Sequence, residues 1–470
     1  MVSVAAPRDP RSGCDLLIGG GRLLDLDAAA GVLDGASIAV LDGMIVAVGP
    51  RQDVEAVWAP ARRIDATDQV IAPGFVDAHV HLGAFLGAGG QPYAAATGPG
   101  PFSGAGRPEV VLPMVARMCS MPVPDELVTA VVRPVLMSML RSGITSVVDA
   151  GSPGVDGLVV AAHELGIRAA IGPSLADLWH DEHGVLVQQA DPESLLADAA
   201  RAIDHYDTGD GCVRPVVSGV ETMACSDELL TGIAALTAAR NIPTHVHTHI
   251  SDNSVRAHDA AFGRTATQRL TDAGMLTPRC TAMHAGSLTD ADIAAFTAAG
   301  VTVNHNPVGN AMLGFGITAG GSVPRLLAAG VPVALGSDYA PSAISTPFEM
   351  IRATLMLHRD IAALDNAITL EQALAMATGN AGATLGLPGQ IGRIAPGQLA
   401  DLILVDITGP HHLATDHPIP ALALHARASD VTTVIVGGYV IVERGQLVGV
   451  DEPALAASAR QAYRKLAAHP

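Results

Sequence analysis

The sequence predicts an α/β protein: a (β/α)8 barrel of the TIM type with a small β-sandwich domain built from both chain ends. Three observations carry this expectation. Strand-like and helix-like segments alternate through the whole middle of the chain. Short apolar runs punctuated by Gly and Asp-Gly fill both ends. Histidines and an aspartate fall at the C-terminal ends of the middle strands, where a parallel barrel carries its chemistry. The expected boundaries are 1–72 plus 390–470 for the composite β domain, with a C-terminal helix, and 73–389 for the barrel.

Residues 14–72 contain "CDLLIGGGRLLD", "GASIAVLDGMIVAVG" and "RRIDATDQVIAP", whose alternation and turn residues signal antiparallel strands. The same style returns in "GRIAPGQLADLILVD" and "TTVIVGGYVIVERGQLVG", so the two ends are expected to pair. Between them, strands are expected at 75–81, 144–149, 167–171, 213–220, 243–249, 280–284, 301–306 and 331–337. Helical stretches such as "DELVTAVVRPVLMSMLRSG" and "DADIAAFTAAG" separate them. A doubly wound open sheet is the alternative, but no G-x-G-x-x-G follows an early strand.

Composition narrows the function. Hydrophobic residues make up 49% of the 470 residues, enough for a large core. A net charge of −19 argues against nucleic acid or an anionic membrane as partner, and no apolar run reaches the ~18 residues of a membrane span. The N-terminus lacks a signal pattern and the five cysteines are scattered, so a cytoplasmic protein with reduced thiols is expected. Lys465 is the only lysine. That removes Schiff-base chemistry, a P-loop lysine and a carboxylated lysine bridging two metals, so any metal site is expected to be mononuclear.

The stretch Thr244–Asp252, "THVHTHISD", places His245, His247 and His249 on alternate residues, one face of an extended strand. His79 and His81 repeat that period in "DAHVHL". With Asp338 they suggest a site of three histidines and a carboxylate for a borderline ion such as Zn²⁺ or Fe²⁺, with a position left for water. Spacing alone does not choose among the three fifth-strand histidines.

"PGFVDAHVHL", "HTHISDN", "AMHAGSL", "NHNPVGNAMLGFGI" and "LGSDYA" resemble, in order, the motifs of the amidohydrolase superfamily, most nearly its cytosine deaminase and triazine hydrolase (chlorohydrolase-like) branch. The resemblance covers nearly the whole chain. In that branch the fifth-strand ligand is followed three residues later by a catalytic carboxylate, H-x-x-E. Only His249 has an acid at that distance, Asp252, so the resemblance implies His79, His81, His249 and Asp338 as ligands of one divalent ion. Asp252 stands where the branch has glutamate, one methylene shorter. His245 and His247 are then read as hydrogen-bonded interior histidines, with orientation of a ligand as the alternative for His247.

The resemblance further implies a metal-dependent hydrolase using a metal-activated water. Asp338 accepts a proton, Asp252 passes one to a ring or leaving nitrogen, and His284 stabilises the intermediate. The expected activity is deamination of a nitrogen heterocycle such as a purine, pterin, pyrimidine or triazine. Hydrolysis of a urea, carbamate or cyclic amide, and a non-catalytic metal-binding barrel, are the alternatives. The partner is a small-molecule substrate, and homo-oligomers are common among relatives. On the substrate side His305 is read either as a contact or as a loop-bonding histidine. Phe85, Tyr93 and Phe102 in the long Gly/Pro-rich loop after the first strand, and Trp179, His180 and His183 after the third, have surface or packing roles as alternatives.

Overall fold

The computed structural model describes residues 12–26, 31–83, 123–181, 183–206, 211–338 and 345–467. The two chain ends share one sheet. Its N-terminal members are β1 (Ser12–Leu24), β2 (Val32–Leu41), β3 (Met44–Pro50), β4 (Trp58–Asp65) and β5 (Gln69–Pro73). Ten strands then lie along the middle: β6 (Phe75–Val80), β7 (Ile144–Asp149), β8 (Arg168–Ile171), β9 (Ser174–Leu175), β10 (Leu178–His180), β11 (Leu186–Gln188), β12 (Val213–Pro215), β13 (Val217–Glu221), β14 (Thr244–Thr248) and β15 (Cys280–His284). After these come β16 (Thr302–His305) and β17 (Val333–Leu335). The C-terminal members are β18 (Leu402–Asp406), β19 (Val431–Val436), β20 (Tyr439–Glu443) and β21 (Gln446–Leu447).

The nine-stranded sheet runs β21-β20-β19-β18-β5-β1-β2-β3, with β4 also paired to β1. The join between the ends is the antiparallel ladder of β18 on β5, Leu402 opposite Pro73 through Asp406 opposite Gln69. The ends therefore form one sheet by hydrogen bonding. Leu16, Ile18, Ile38, Val40, Ile71, Leu402, Leu404 and Ile435 pack together on it.

The middle strands form two parallel sheets, β12-β8-β7-β6 and β17-β16-β15-β14-β13-β9. A parallel bridge between Val80 and Asp338 links the outer strand of one to the outer end of the other. At the other side β9 follows β8 and β13 follows β12, so the chain passes from sheet to sheet twice. Gly172 lies at that crossing, where a Cβ would come within 1.8 Å of the Val216 carbonyl oxygen. Val76, Ala78, Val148, Ala170, Val216 and Ala334 meet Ala381, Leu385, Leu387 and Ile391 in one buried cluster. The intervening helices cover the outer faces. Thr265, Thr289 and Thr369 each start one with a capping box, their hydroxyls accepting from the backbone three residues on.

One buried ion pair fastens the parallel strands to the nine-stranded sheet. Arg168 of β8 donates from Nε to Asp401 Oδ2 (2.8 Å) and from Nη2 to Oδ1 (3.0 Å). Asp401 just precedes β18, and its Oδ1 also accepts from Gly437 N at 2.6 Å. The planar guanidinium matches the carboxylate fork, which suits a desolvated pair. Among the described residues no helix is long and apolar enough to cross a membrane, and no disulfide joins Cys14, Cys212, Cys225 or Cys280.

Candidate metal centre

Five side chains converge at the C-terminal ends of four strands. His79 and His81 come from the end of β6, His247 from β14, His284 from β15 and Asp338 from just beyond β17. His79, His81 and His247 each bring a donor atom within 4.8 Å of the others, as do His79, His284 and Asp338. His79 Nε2 lies 3.2 Å and His81 Nε2 3.6 Å from the same Asp338 Oδ1. The His79 and His247 ring centroids are 4.9 Å apart, and His247 and His284 5.3 Å.

The backbone sets this arrangement. His81 N donates to Asp338 O and Asp338 N donates to His79 O, both at 2.8 Å, so the first strand and the aspartate are latched before any side chain acts. Glycines let the elements come this close. A Cβ on Gly336 would meet His79 Cβ at 2.7 Å, and one on Gly309 would meet Asp338 Cβ at 2.8 Å. Asp338 (φ +65°) and His284 (φ +68°) both take left-handed backbone, uncommon away from glycine and found where a surrounding structure over-determines the residue.

Burial governs the charge states. It pulls the His79 imidazole down to about 3 and holds His247 well below the usual histidine range, with the neighbouring imidazoles adding to the effect. His284 is lowered by burial too. Burial by itself would raise the Asp338 carboxyl. The His79 hydrogen bond and the fields of His284, His79 and His81 outweigh it, leaving a carboxylate well below its ordinary range. Neutral imidazoles around an ionised carboxylate are the donor set a divalent ion takes.

The residues fit such an ion on a further ground. Asp338 Oδ2, on the carboxylate towards which His79 Nε2 and His81 Nε2 converge, is buried without a hydrogen-bond partner. A buried acceptor without a partner is costly, and a cation beside it supplies one. Carboxylates behind the centre brace it. Asp77 Oδ1 accepts from Ser337 N (2.9 Å) and His79 N (3.3 Å), and burial pushes its carboxyl up to about 7. Asp149 accepts from Leu82 N at 3.0 Å and from the Ser152 hydroxyl at 2.6 Å.

His249 is not brought to this cluster, which corrects the ligand set expected from the sequence. It lies one residue past β14 with φ +50°. That left-handed turn ends the alternation which would have kept it on the face of His247. Its Nδ1 is 2.8 Å from the Thr248 hydroxyl and its Nε2 3.3 Å from that of Thr267, and its ring stands edge-on to Phe296. His247 occupies the place expected of His249. His245 lies deeper, its Nε2 donating to Thr384 O at 2.9 Å, as an interior histidine was expected to do.

Counted from His247, the third residue is Ile250, apolar and buried. Asp252 opens the helix Asp252–Phe262, and its carboxylate accepts from the Ser287 hydroxyl. His284 is in the cluster, with Nδ1 3.0 Å from Asn310 Oδ1 and an edge contact to Phe315 at 5.6 Å. Asn306 Nδ2 is 3.4 Å from the same ring nitrogen. These three residues escaped notice in the sequence, although all sit in the quoted "NHNPVGNAMLGF" run.

His305 is fully buried and its Nε2 lies 3.2 Å from that of His358 on the helix Pro347–Ala362. Its partner is thus on a helix and not on the loop that the sequence reading named. Trp179 of β10 packs against Val220, Met223 and Ala224, a packing role. His180 is part-buried beside it, with Nδ1 lacking a partner, and is not among the clustered groups. Phe85, Tyr93 and Phe102 lie outside the described residues. Glu221, unremarked in the sequence, ends β13 opposite His247 and is buried, its carboxylate accepting from Met223 N at 2.6 Å.

A parallel α/β scaffold with imidazoles and an aspartate gathered at its strand ends defines a metal-dependent hydrolase, one acting here on carbon–nitrogen bonds. Residues 70–441 match the model of the Amidohydrolase family, and the chain belongs to that family. It is 30% identical over 452 residues to a 5-methylthioadenosine/S-adenosylhomocysteine deaminase of Syntrophobacter fumaroxidans, covering 94% of this chain and 96% of the relative. Its fold is similar to that of an adenosine deaminase from Xanthomonas campestris with bound zinc, with TM-score 0.84, 25% identity, and 97% and 99% of the two chains covered. It is also similar to a zinc-complexed atrazine chlorohydrolase from Arthrobacter aurescens, with TM-score 0.83, 22% identity, and 95% and 100% covered; that likeness concerns the fold.

Proposed function

We propose that this chain is a mononuclear zinc aminohydrolase that removes an exocyclic amine from a nitrogen heterocycle, adenine-type nucleosides being the first class to test. The two parallel sheets are read as one closed eight-strand barrel over 73–389, with the composite β domain, 1–72 plus 390–470, beside it. The observation that carries the reading is the cluster itself, found in a chain whose full-length relatives are named as nucleoside deaminases.

His79, His81, His247 and Asp338 would hold the ion, which when bound supplies Lewis acidity and lowers the pKa of water from 15.7 towards about 7. Asp338 accepts the proton given up by the attacking water. As the only carboxylate of the cluster it also returns that proton towards the departing nitrogen. His284 is oriented by Asn310, and burial keeps it neutral until negative charge develops on the substrate beside it. It then hydrogen-bonds and steadies that charge, with no net proton transfer.

A second reading has its own observation. Ile250 stands where H-x-x-E would place a carboxylate, so no acid on that turn reaches towards a ring nitrogen. Substrates whose leaving nitrogen needs no ring protonation, such as a cyclic amide, urea or carbamate, fit that feature. One experiment separates the readings. The zinc-loaded protein is incubated with adenosine-type nucleosides, purines, pterins and triazines, and in parallel with cyclic amides and ureas. Ammonia release with the absorbance change of a deaminated ring supports the first reading. Ring opening without ammonia from any heterocycle supports the second, and inactivity towards all of them overturns both.

A further inference from the structure

We propose that His411, His412 and Asp430 form a second divalent-cation site, remote from the catalytic centre and structural in role. His411 and His412 lie on the single turn Pro410–His412, and Asp430 ends the turn Ala428–Asp430. Their Nε2 atoms stand 2.8 Å and 3.3 Å from one and the same Asp430 Oδ2. The ring centroids are 4.3 Å apart, and the three donor atoms lie within 4.8 Å of one another.

Two features point to an ion rather than an ordinary ion pair. Two imidazole Nε2 atoms converging on one carboxylate oxygen is the pattern His79 and His81 make with Asp338. The His412 side chain is 1% exposed, so the Nε2 it turns towards Asp430 is shielded from solvent. Asp430 Oδ2 also accepts from Arg427 N at 2.8 Å, which fixes the carboxylate before any ion arrives. His411 is 22% exposed on its side chain, so the cluster is open to solvent on one side, where water completes the coordination. Two imidazoles and a carboxylate suit a borderline ion such as zinc or cobalt.

The position explains what such a site does. β18 and β19 are antiparallel neighbours, with Val405 opposite Val431. The chain between them leaves at residue 407 and returns at residue 430, and the three ligands sit near its two ends. Within the excursion, Leu422 and Ala423 join the core cluster that also holds Phe348 and Ile351 of the helix Pro347–Ala362. An ion at its base closes that loop and holds the β sheet and the parallel-strand unit in register.

The test uses the full chain, stripped and reloaded with zinc alone or cobalt alone. Wild type is expected to retain two equivalents per chain after dialysis. Asp430→Asn and His411→Ala should retain one with turnover unchanged, while His417→Ala, a nearby exposed control, should retain two. In a His247→Ala background zinc should still raise the unfolding temperature, and that rise should vanish when Asp430→Asn is added. The double variant keeps failure here distinct from failure of the catalytic assignment. A single equivalent in wild type that Asp430→Asn does not reduce would overturn the proposal. So would cobalt absorption identical in wild type and His411→Ala.

Discussion

His247 and His249 give opposite expectations when each is replaced by alanine, because only one of them belongs to the cluster. A zinc site with four protein ligands is worth roughly 10–16 kcal/mol of apparent binding free energy. Removing one of four therefore costs about 3 kcal/mol, or on the order of 10²-fold in affinity. His247→Ala is expected to show that loss in a chelator competition, with turnover falling at least as far. His249→Ala breaks contacts to the Thr248 and Thr267 hydroxyls and leaves a buried gap beside Phe296. Two hydrogen bonds at about 1 kcal/mol each, with the cavity, predict destabilisation of about 2–4 kcal/mol. Its metal content, measured on the folded fraction well below the unfolding temperature, is expected to stay near wild type. Zinc lost from His249→Ala and retained by His247→Ala would refute the assignment.

Three other outcomes follow from contacts already described. Asp252→Asn should leave turnover within a few-fold of wild type, since its carboxylate is engaged by Ser287; a loss of two orders of magnitude in kcat would restore its catalytic role. Asp401→Ala removes the carboxylate from buried Arg168 and should destabilise by about 3–5 kcal/mol in chemical denaturation, whereas a change under about 1 kcal/mol would show the pair to be idle. Burial raises the Glu221 carboxyl from 4.5 to about 7, with hydrogen bonds from Met223 and Thr222 and the charge of Arg269 opposing it. Its favourable contribution is thus complete below pH ~4.5 and lost as pH rises to about 7, a change of roughly 3 kcal/mol. Glu221→Gln should gain on wild type over that window, and a stability difference independent of pH would contradict the burial argument.

Much of the architecture was legible because strand periods and turn residues are local signals. The expected strands at 144–149 and 280–284 match β7 and β15 residue for residue, and the pairing of the chain ends appears as β18 on β5. What local pattern missed is set by long-range geometry. The expected strand 213–220 is divided into β12 and β13, since the chain there changes partner from β8 to β14. The strands expected to form a sandwich are joined in one hydrogen-bonded network through β18 on β5. His79, His81, His284 and Asp338 were readable from strand-end position. Asn306 and Asn310 were not, since their meaning depends on a ring more than 20 residues away.

The parting of His249 from His247 has a physical cause that reaches beyond one residue. Alternation assigns His245, His247 and His249 to a common face only while the backbone stays extended. At His249 φ turns to +50°, and the same left-handed turn recurs at His284, Ala285 and Asp338. Each such residue costs of order 1–2 kcal/mol in an isolated chain. Three of them are held by backbone hydrogen bonds across to a neighbouring segment. His249 O accepts from Gly286 N and Ser287 N, Ala285 N donates to Thr248 O, and Asp338 N donates to His79 O. Strand ends that turn together in this way close off the parallel ladder and aim the last side chain of each strand. The turn at His249 therefore withdraws one imidazole into the wall, while those at His284 and Asp338 bring an imidazole and a carboxylate into the cluster.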